Sequence, residues 1–201
     1  MNGIKKEIKM GREAILQAIK KNKPNLIPVP EINETVFEET IDLKETFIKN
    51  VALVGGSIKE IKAKDIDSEI KSIYTNAKRI VSTSNSTTVG TVSISKDIDP
   101  HTLEDIDLAI LEGELGIAEN GAIWVTASNS IVRVLPFITN DLVIILKKDS
   151  LCLHMHQAYK IISQRERDFG VFISGPSKTA DIEQCLVVGA HGAMSLTVFL
   201  I

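Results

Sequence analysis

Residues 172–192 read FISGPSKTADIEQCLVVGAHG: an apolar strand-like stretch, a bend rich in glycine, proline and hydroxyls, then a run whose apolar positions suit a short helix. Strand, bend and helix in that order form the repeating unit of α/β proteins. Ser174, Gly175, Ser177 and Thr179 bring hydroxyls and uncrowded amides to the bend, and Lys178 brings a cation. A helix N-terminus just beyond would add its positive dipole end. The expectation is a pocket for an anionic ligand, followed by a helix over Ala180–Val188 in which Asp181 caps and Glu183 complements the dipole. Helix capping alone would use several of the same residue types.

Outward from this bend, the same alternation covers most of the chain. Leu43, Phe47, Val51 and Val54 recur at helical spacing, with Gly55 and Gly56 placed to end that helix. A strand at Ile58–Ile61 follows, then a helix face of Ile66, Ile70, Ile73 and Ala77, then a strand at Ile80–Ser82. Short apolar runs at Leu108–Leu111, Leu115–Ala118, Ile123–Thr126 and Leu142–Leu146 read as strands, and a helix is expected from about Ser150 to Ser163. Val171–Ile173 and Leu196–Leu200 complete the strands. The fold class is therefore α/β, with a mostly parallel sheet, helices on both faces and a β-rich insertion around Leu108–Thr126. Ahead of it, Ala14, Ile15, Ala18 and Ile19 share one helical face before Pro24, Pro28 and Pro30 force an extended connection. The domain reading is residues 1–40 as an N-terminal helix and arm, and 41–201 as the main domain.

Composition narrows the function classes. A 201-residue chain that is 44% hydrophobic can bury one sizeable core. Its net charge of -3 argues against a nucleic-acid surface, which needs a face rich in lysine and arginine. No apolar run approaches membrane-span length, so a cytoplasmic location without membrane contact is expected. Cys152 and Cys185 sit among apolar residues as reduced core thiols, and two cysteines cannot hold an iron–sulfur cluster alone. No cofactor or metal is predicted for this chain.

A second constellation lies at residues 114–125, ELGIAENGAIWV, where Glu119 precedes Asn120 and Gly121 between two apolar strands. On one reading Glu119 is a solvated loop residue. On the other the turn carries a carboxylate to the sheet rim, as general base or acyl acceptor. The candidate site is then Glu119 as the catalytic group, with Ser174, Gly175, Ser177, Lys178 and Thr179 as ligand-binding residues and Asn120 and His191 as secondary contacts. His154 and His156, two apart on the expected helix, would point to different faces. P-loop, GxGxxG and GxSxG patterns do not occur.

Together, GELGIAENGAIWV, RVLPF at 133–137, MHQAY at 155–159 and the SGPSKTADIE terminal element resemble the lactate utilization (LUD) domain proteins of the LutC type. The resemblance implies a three-layer α/β/α fold of the NagB/RpiA/coenzyme A transferase-like kind. It also implies a part in oxidising L-lactate to pyruvate beside LutA- and LutB-like partners, which carry the iron–sulfur clusters; a homo-oligomer is compatible with it. The ENG triplet is also similar to the glutamate turn of coenzyme A transferases, although Ala118 stands where that family has serine. An independent acyl- or coenzyme A-transferase-like or 5-formyltetrahydrofolate cyclo-ligase-like enzyme using Glu119 is the alternative.

Overall fold

A computed structural model describes residues 11–28, 30, 33–37, 39–165, 169–180 and 186–201. The chain divides into two compact units, residues 1–40 and 41–201. In the first, helix α1 (Arg12–Lys21) buries no residue, and Ile15 and Ile19 stay exposed.

The second unit begins with α2 (Leu43–Leu53). Asp42 caps it by accepting from the Glu45 N–H at 2.9 Å, and Phe47 and Val51, one turn apart, are fully buried. Its end is set by Gly55, whose φ of 86° reverses the chain. The Gly55 N–H donates to Ala52 O and that of Gly56 to Val51 O, at 3.0 and 2.9 Å, the paired bonds of a Schellman cap. Next come β1 (Ser57–Glu60), α3 (Ile66–Ile73), β2 (Ile80–Ser82) and β3 (Leu108–Glu112). A hairpin of β4 (Leu115–Ile117) and β5 (Ala122–Thr126) is followed by short helices α4 (Ala127–Ser130) and α5 (Leu135–Ile138). The chain then runs through β6 (Asp141–Leu146), β7 (Leu151–Cys152), α6 (Met155–Ser163), β8 (Gly170–Ile173), β9 (Lys178–Ala180), β10 (Leu186–Val188) and β11 (Ser195–Leu200).

Five strands form a parallel sheet in the order β1-β11-β6-β3-β2. The inner strands feed two cores by simple alternation. Along β6, Leu142, Ile144 and Leu146 enter one core while Val143 and Ile145 enter the other; β3 divides Ala109 and Leu111 from Leu108 and Ile110 in the same way. Helix α3 covers the second core through Ile66 and Ile70, and α2 covers the first through Phe47 and Val51. Helices thus stand on both sides of a mostly parallel sheet, as the alternation predicts.

Of the β-rich insertion expected around Leu108–Thr126, Leu108–Glu112 is β3 of the central sheet, while β4 and β5 enter a separate sheet ordered β7-β4-β5-β8, in which only the β4–β7 pair is parallel. One face, through Ile123, Val125 and Ala118, joins the first core; the other, through Leu115, Ile117 and Trp124, packs on Ala158 and Ile162 of α6. Two expectations need correction. The helix expected from Ser150 starts at Met155, because Leu151 and Cys152 pair with Gly116 and Ile117 as an edge strand. Where a helix is expected over Ala180–Val188, the described residues are strands instead: β9 and β10 pair antiparallel, Lys178, Thr179 and Ala180 with Val188, Val187 and Leu186. β-branched Thr179, Val187 and Val188 favour that pleated pairing. Asp181, Glu183 and Cys185 lie outside the described residues.

Two glycines carry steric constraints. Gly121, at φ 65°, lies so close to α2 that a Cβ would stand 2.7 Å from the Val51 amide nitrogen. Exposed Gly90 would offer its Cβ only ordinary contacts, the nearest at 3.6 Å. Gly121→Ala should therefore destabilise by about 2 kcal/mol, on the scale of strained backbone sites, whereas Gly90→Ala should stay within roughly 0.5 kcal/mol of the parent. Urea unfolding of both variants checks this; equal effects would refute the close approach.

Candidate functional site

The two sequence motifs meet on the last turn of α2. Asn50 Nδ2 donates to Ala118 O at 2.7 Å, which ties the helix to the β4–β5 loop. In that loop the Gly121 N–H returns to Ile117 O at 2.9 Å, and Asn120 Oδ1 accepts from the Ala122 N–H at 3.0 Å. Ser174 Oγ then donates to Asn120 O at 2.9 Å and joins the SGPSK bend to the glutamate loop. Gly175, at φ 72°, turns directly beneath the Val54 carbonyl, where no Cβ fits, and Lys178 Nζ donates to the same oxygen. The bend therefore faces the carbonyl end of a helix. This corrects the expectation of a helix N-terminus there: β9 follows the bend, and Lys178 neutralises the negative end of the α2 dipole.

Beside the bend lies a cavity of about 270 Å³ lined by Gly175, Pro176, Ser177, Lys178, His191 and Gly192, with Phe137 and Phe172 among its apolar walls. Ser177 is held through its backbone, its N–H donating to Ala193 O at 2.8 Å and its carbonyl accepting from the Gly189 N–H at 3.0 Å. Leu142 and Leu196, each the second residue of its strand, also line it. The cavity thus sits at the amino ends of β6 and β11, although the bend itself follows a strand of the smaller sheet.

Of the predicted residues, Gly175, Ser177, Lys178 and His191 share this cavity. Ser174 serves the loop contact to Asn120, and Thr179 lies exposed in β9 opposite Val187. Glu119 does not line the cavity. Its Oε2 meets His154 Nδ1 at 2.6 Å, and its Oε1 accepts from the Met155 N–H at 2.9 Å, so it caps α6 from a distant loop. Because a carboxylate only accepts, this contact places a proton on Nδ1. His154 precedes the helix in extended backbone, and its ring stacks on His156 at 5.1 Å. The expected divergence of the two histidines is thereby corrected: only His156 is on the helix. Among the described residues no group of three or more histidine, cysteine and carboxylate side chains is arranged to hold a metal ion.

The sequence reading missed His154 as the partner of Glu119. It also missed a set of charged residues near the other end of the central sheet. Glu114 accepts from Arg165 Nη1 at 2.7 Å and from the Thr126 hydroxyl at 2.8 Å. Glu112 accepts from Ser84 Oγ at 2.6 Å, Ser86 Oγ at 3.1 Å and the Asn85 N–H at 3.2 Å. Burial pushes the Glu112 carboxyl up, but these hydrogen bonds outweigh it and hold the group below its ordinary range. The usable signal was the pattern LAILEGE, a buried strand that ends on one carboxylate and is followed by a second.

A LUD domain family model matches residues 12–201, and the chain belongs to that family. It is similar to Lactate utilization protein C of Bacillus velezensis and of Bacillus subtilis, in each case 33% identical over 105 residues, 49% of this chain and 43% of the relative. That of Geobacillus kaustophilus is 32% identical over 97 residues, 45% of this chain and 40% of the relative. The matched stretch thus spans under half the length of these curated relatives. Among solved structures, a DUF162 family protein from Deinococcus radiodurans matches with a TM-score of 0.59 at 15% identity, covering 79% of this chain and 95% of that one. That likeness supports the α/β fold. Among the described residues no helix is long and apolar enough to cross a membrane.

Burial first, and the neighbouring Glu119 charge second, push the Cys152 thiol up to about 11. The native thiol should therefore resist iodoacetamide at about pH 8, reacting roughly tenfold or more slowly than after unfolding. Glu119→Gln should speed the native reaction by removing the adjacent charge. Peptide mapping of Cys152 measures both, and equal native and unfolded rates would contradict the placement.

Proposed function

We propose that this chain is a lactate utilization protein of the C kind: a non-redox component of an assembly that oxidises L-lactate to pyruvate with LutA- and LutB-like iron–sulfur proteins. The observation that carries this reading is the LUD match over nearly the whole chain, joined to curated relatives named Lactate utilization protein C. Lactate oxidation releases two electrons and two protons, and in this reading the electrons leave through the partners' clusters. This chain contributes an anion site. Ser177, Lys178 and His191 supply a hydroxyl, an ammonium and an imidazole to one small cavity with apolar walls, which suits a short hydroxy- or keto-carboxylate.

Glu119 has a different part in this reading. With one oxygen on His154 and the other on the Met155 amide, it would lose two hydrogen bonds to become an acyl acceptor. It acts as a positioning carboxylate for His154 instead.

Deleting the gene in its native host should abolish growth on L-lactate, with growth restored by the intact chain. A Lys178→Ala chain should restore it poorly while unfolding within about 1 kcal/mol of the parent, the worth of one exposed hydrogen bond. Undiminished growth of the deletion strain would overturn the proposal.

A further inference from the structure

We propose that the chain has a second binding site, in the cleft by the carboxyl-end loops of the central sheet, for an organic anion with an aromatic body. A cavity of about 480 Å³ lies there, larger than the one beside the SGPSK bend and within the range that encloses a nucleotide-sized ligand. It adjoins a second cavity of about 220 Å³; Glu114 and Arg165 line both. Gly113, Lys147 and Ile201, which follow β3, β6 and β11, border the smaller one and fix its position at the carboxyl ends of the parallel strands. Ligands gather at those ends in open parallel sheets because the loops there are free to vary without disturbing the core.

The lining of the larger cavity separates into two walls. Trp124, Phe169, Ile131 and Ile162 make an apolar wall; Lys96, Arg133 and Arg165 bring three cations, against the single carboxylate of Glu114 among the described lining residues. Glu114 is already neutralised by Arg165 and bonded by Thr126, and Arg133 lies over the Phe169 ring at 5.2 Å from its centroid. Cationic side chains therefore border an aromatic surface. A phosphate or carboxylate would meet the guanidinium groups while a flat ring rests against Trp124 and Phe169. Ile131, in the same lining, is the only non-glycine residue among those described with a positive φ, at 61°. A β-branched residue is disfavoured in that conformation, and such departures concentrate where a site shapes its wall.

Trp124 is the chain's single tryptophan, so its fluorescence reports on this cavity directly. Titration of the full chain with adenosine monophosphate or phenyl phosphate should give a saturable change in that signal. Adenosine and inorganic phosphate, which each satisfy one wall, should bind about tenfold or more weakly. Arg165→Gln should weaken binding by about tenfold, the loss of one charged hydrogen bond. Glu114→Gln should tighten it, because the ligand no longer competes with a carboxylate for Arg165. Lys178→Ala, at the other cavity, should leave the titration unchanged, and melting curves confirm that each variant is folded. Absence of saturation with both aryl anions, an Arg165→Gln titration equal to the parent, or a Glu114→Gln titration weaker than the parent would overturn the proposal. None of these outcomes depends on the lactate reading, which is tested by growth.

Discussion

Burial of the inner parallel strands on both faces is the constraint from which the remaining arrangement follows. With α3 on one side and α2 plus the smaller sheet on the other, β3, β6 and β11 leave almost no position for a polar side chain. A charge in the middle of these strands would be desolvated without a partner, at a cost of several kcal/mol. Chemistry is consequently confined to strand ends and to the smaller sheet. Charged side chains of both cavities are found there: Glu112 as the last residue of β3 and Glu114 just past it, Lys147 just past β6, and Lys178 and His191, with the Ser177 hydroxyl, around the opposite ends.

The C-terminal turn of α2 gives this scaffold its second fixed point. A helix end presents carbonyls that must be satisfied. Here the cap glycines satisfy those of Val51 and Ala52, and Lys178 reaches that of Val54. Because the glutamate loop and the SGPSK bend both press glycines against this turn, their separation is set by backbone contact. Two segments more than fifty residues apart in sequence are thereby held in register, and the Ser174–Asn120 hydrogen bond closes the arrangement.

Much of this was legible in the sequence, and the failures have physical causes. Alternation of apolar runs revealed the parallel strands, since strands buried on both faces read as continuous hydrophobic stretches. Paired glycines at 55 and 56 marked the end of α2 correctly. Local pattern failed where tertiary pairing overrode it. Residues 186–188 carry no feature that excludes a helix, yet they pair with β9. Leu151 and Cys152 look like a helix start until β4 is placed beside them. The candidate site divided along the same line: Gly175, Ser177, Lys178 and His191 are close in sequence and share a cavity, whereas the partner of Glu119 lies 35 residues away and no periodicity announces it.

The parallel topology also explains why one short motif serves two places. A chain leaving β3 at its carboxyl end must return to the amino end before it can enter β6 in parallel. The β4–β5 hairpin ends beside Glu114, which bonds Thr126 at the end of β5, so the return falls to residues 127–140 and the short helices α4 and α5. Arg133 and Phe137, the ends of the RVLPF segment, lie on this return path. The first lines the larger cleft beside Glu114; the second lines the cavity beside the SGPSK bend. A single connection thus supplies a cation to one site and an aromatic wall to the other. The connection that the parallel strands require is therefore also the segment that furnishes a wall to each cavity.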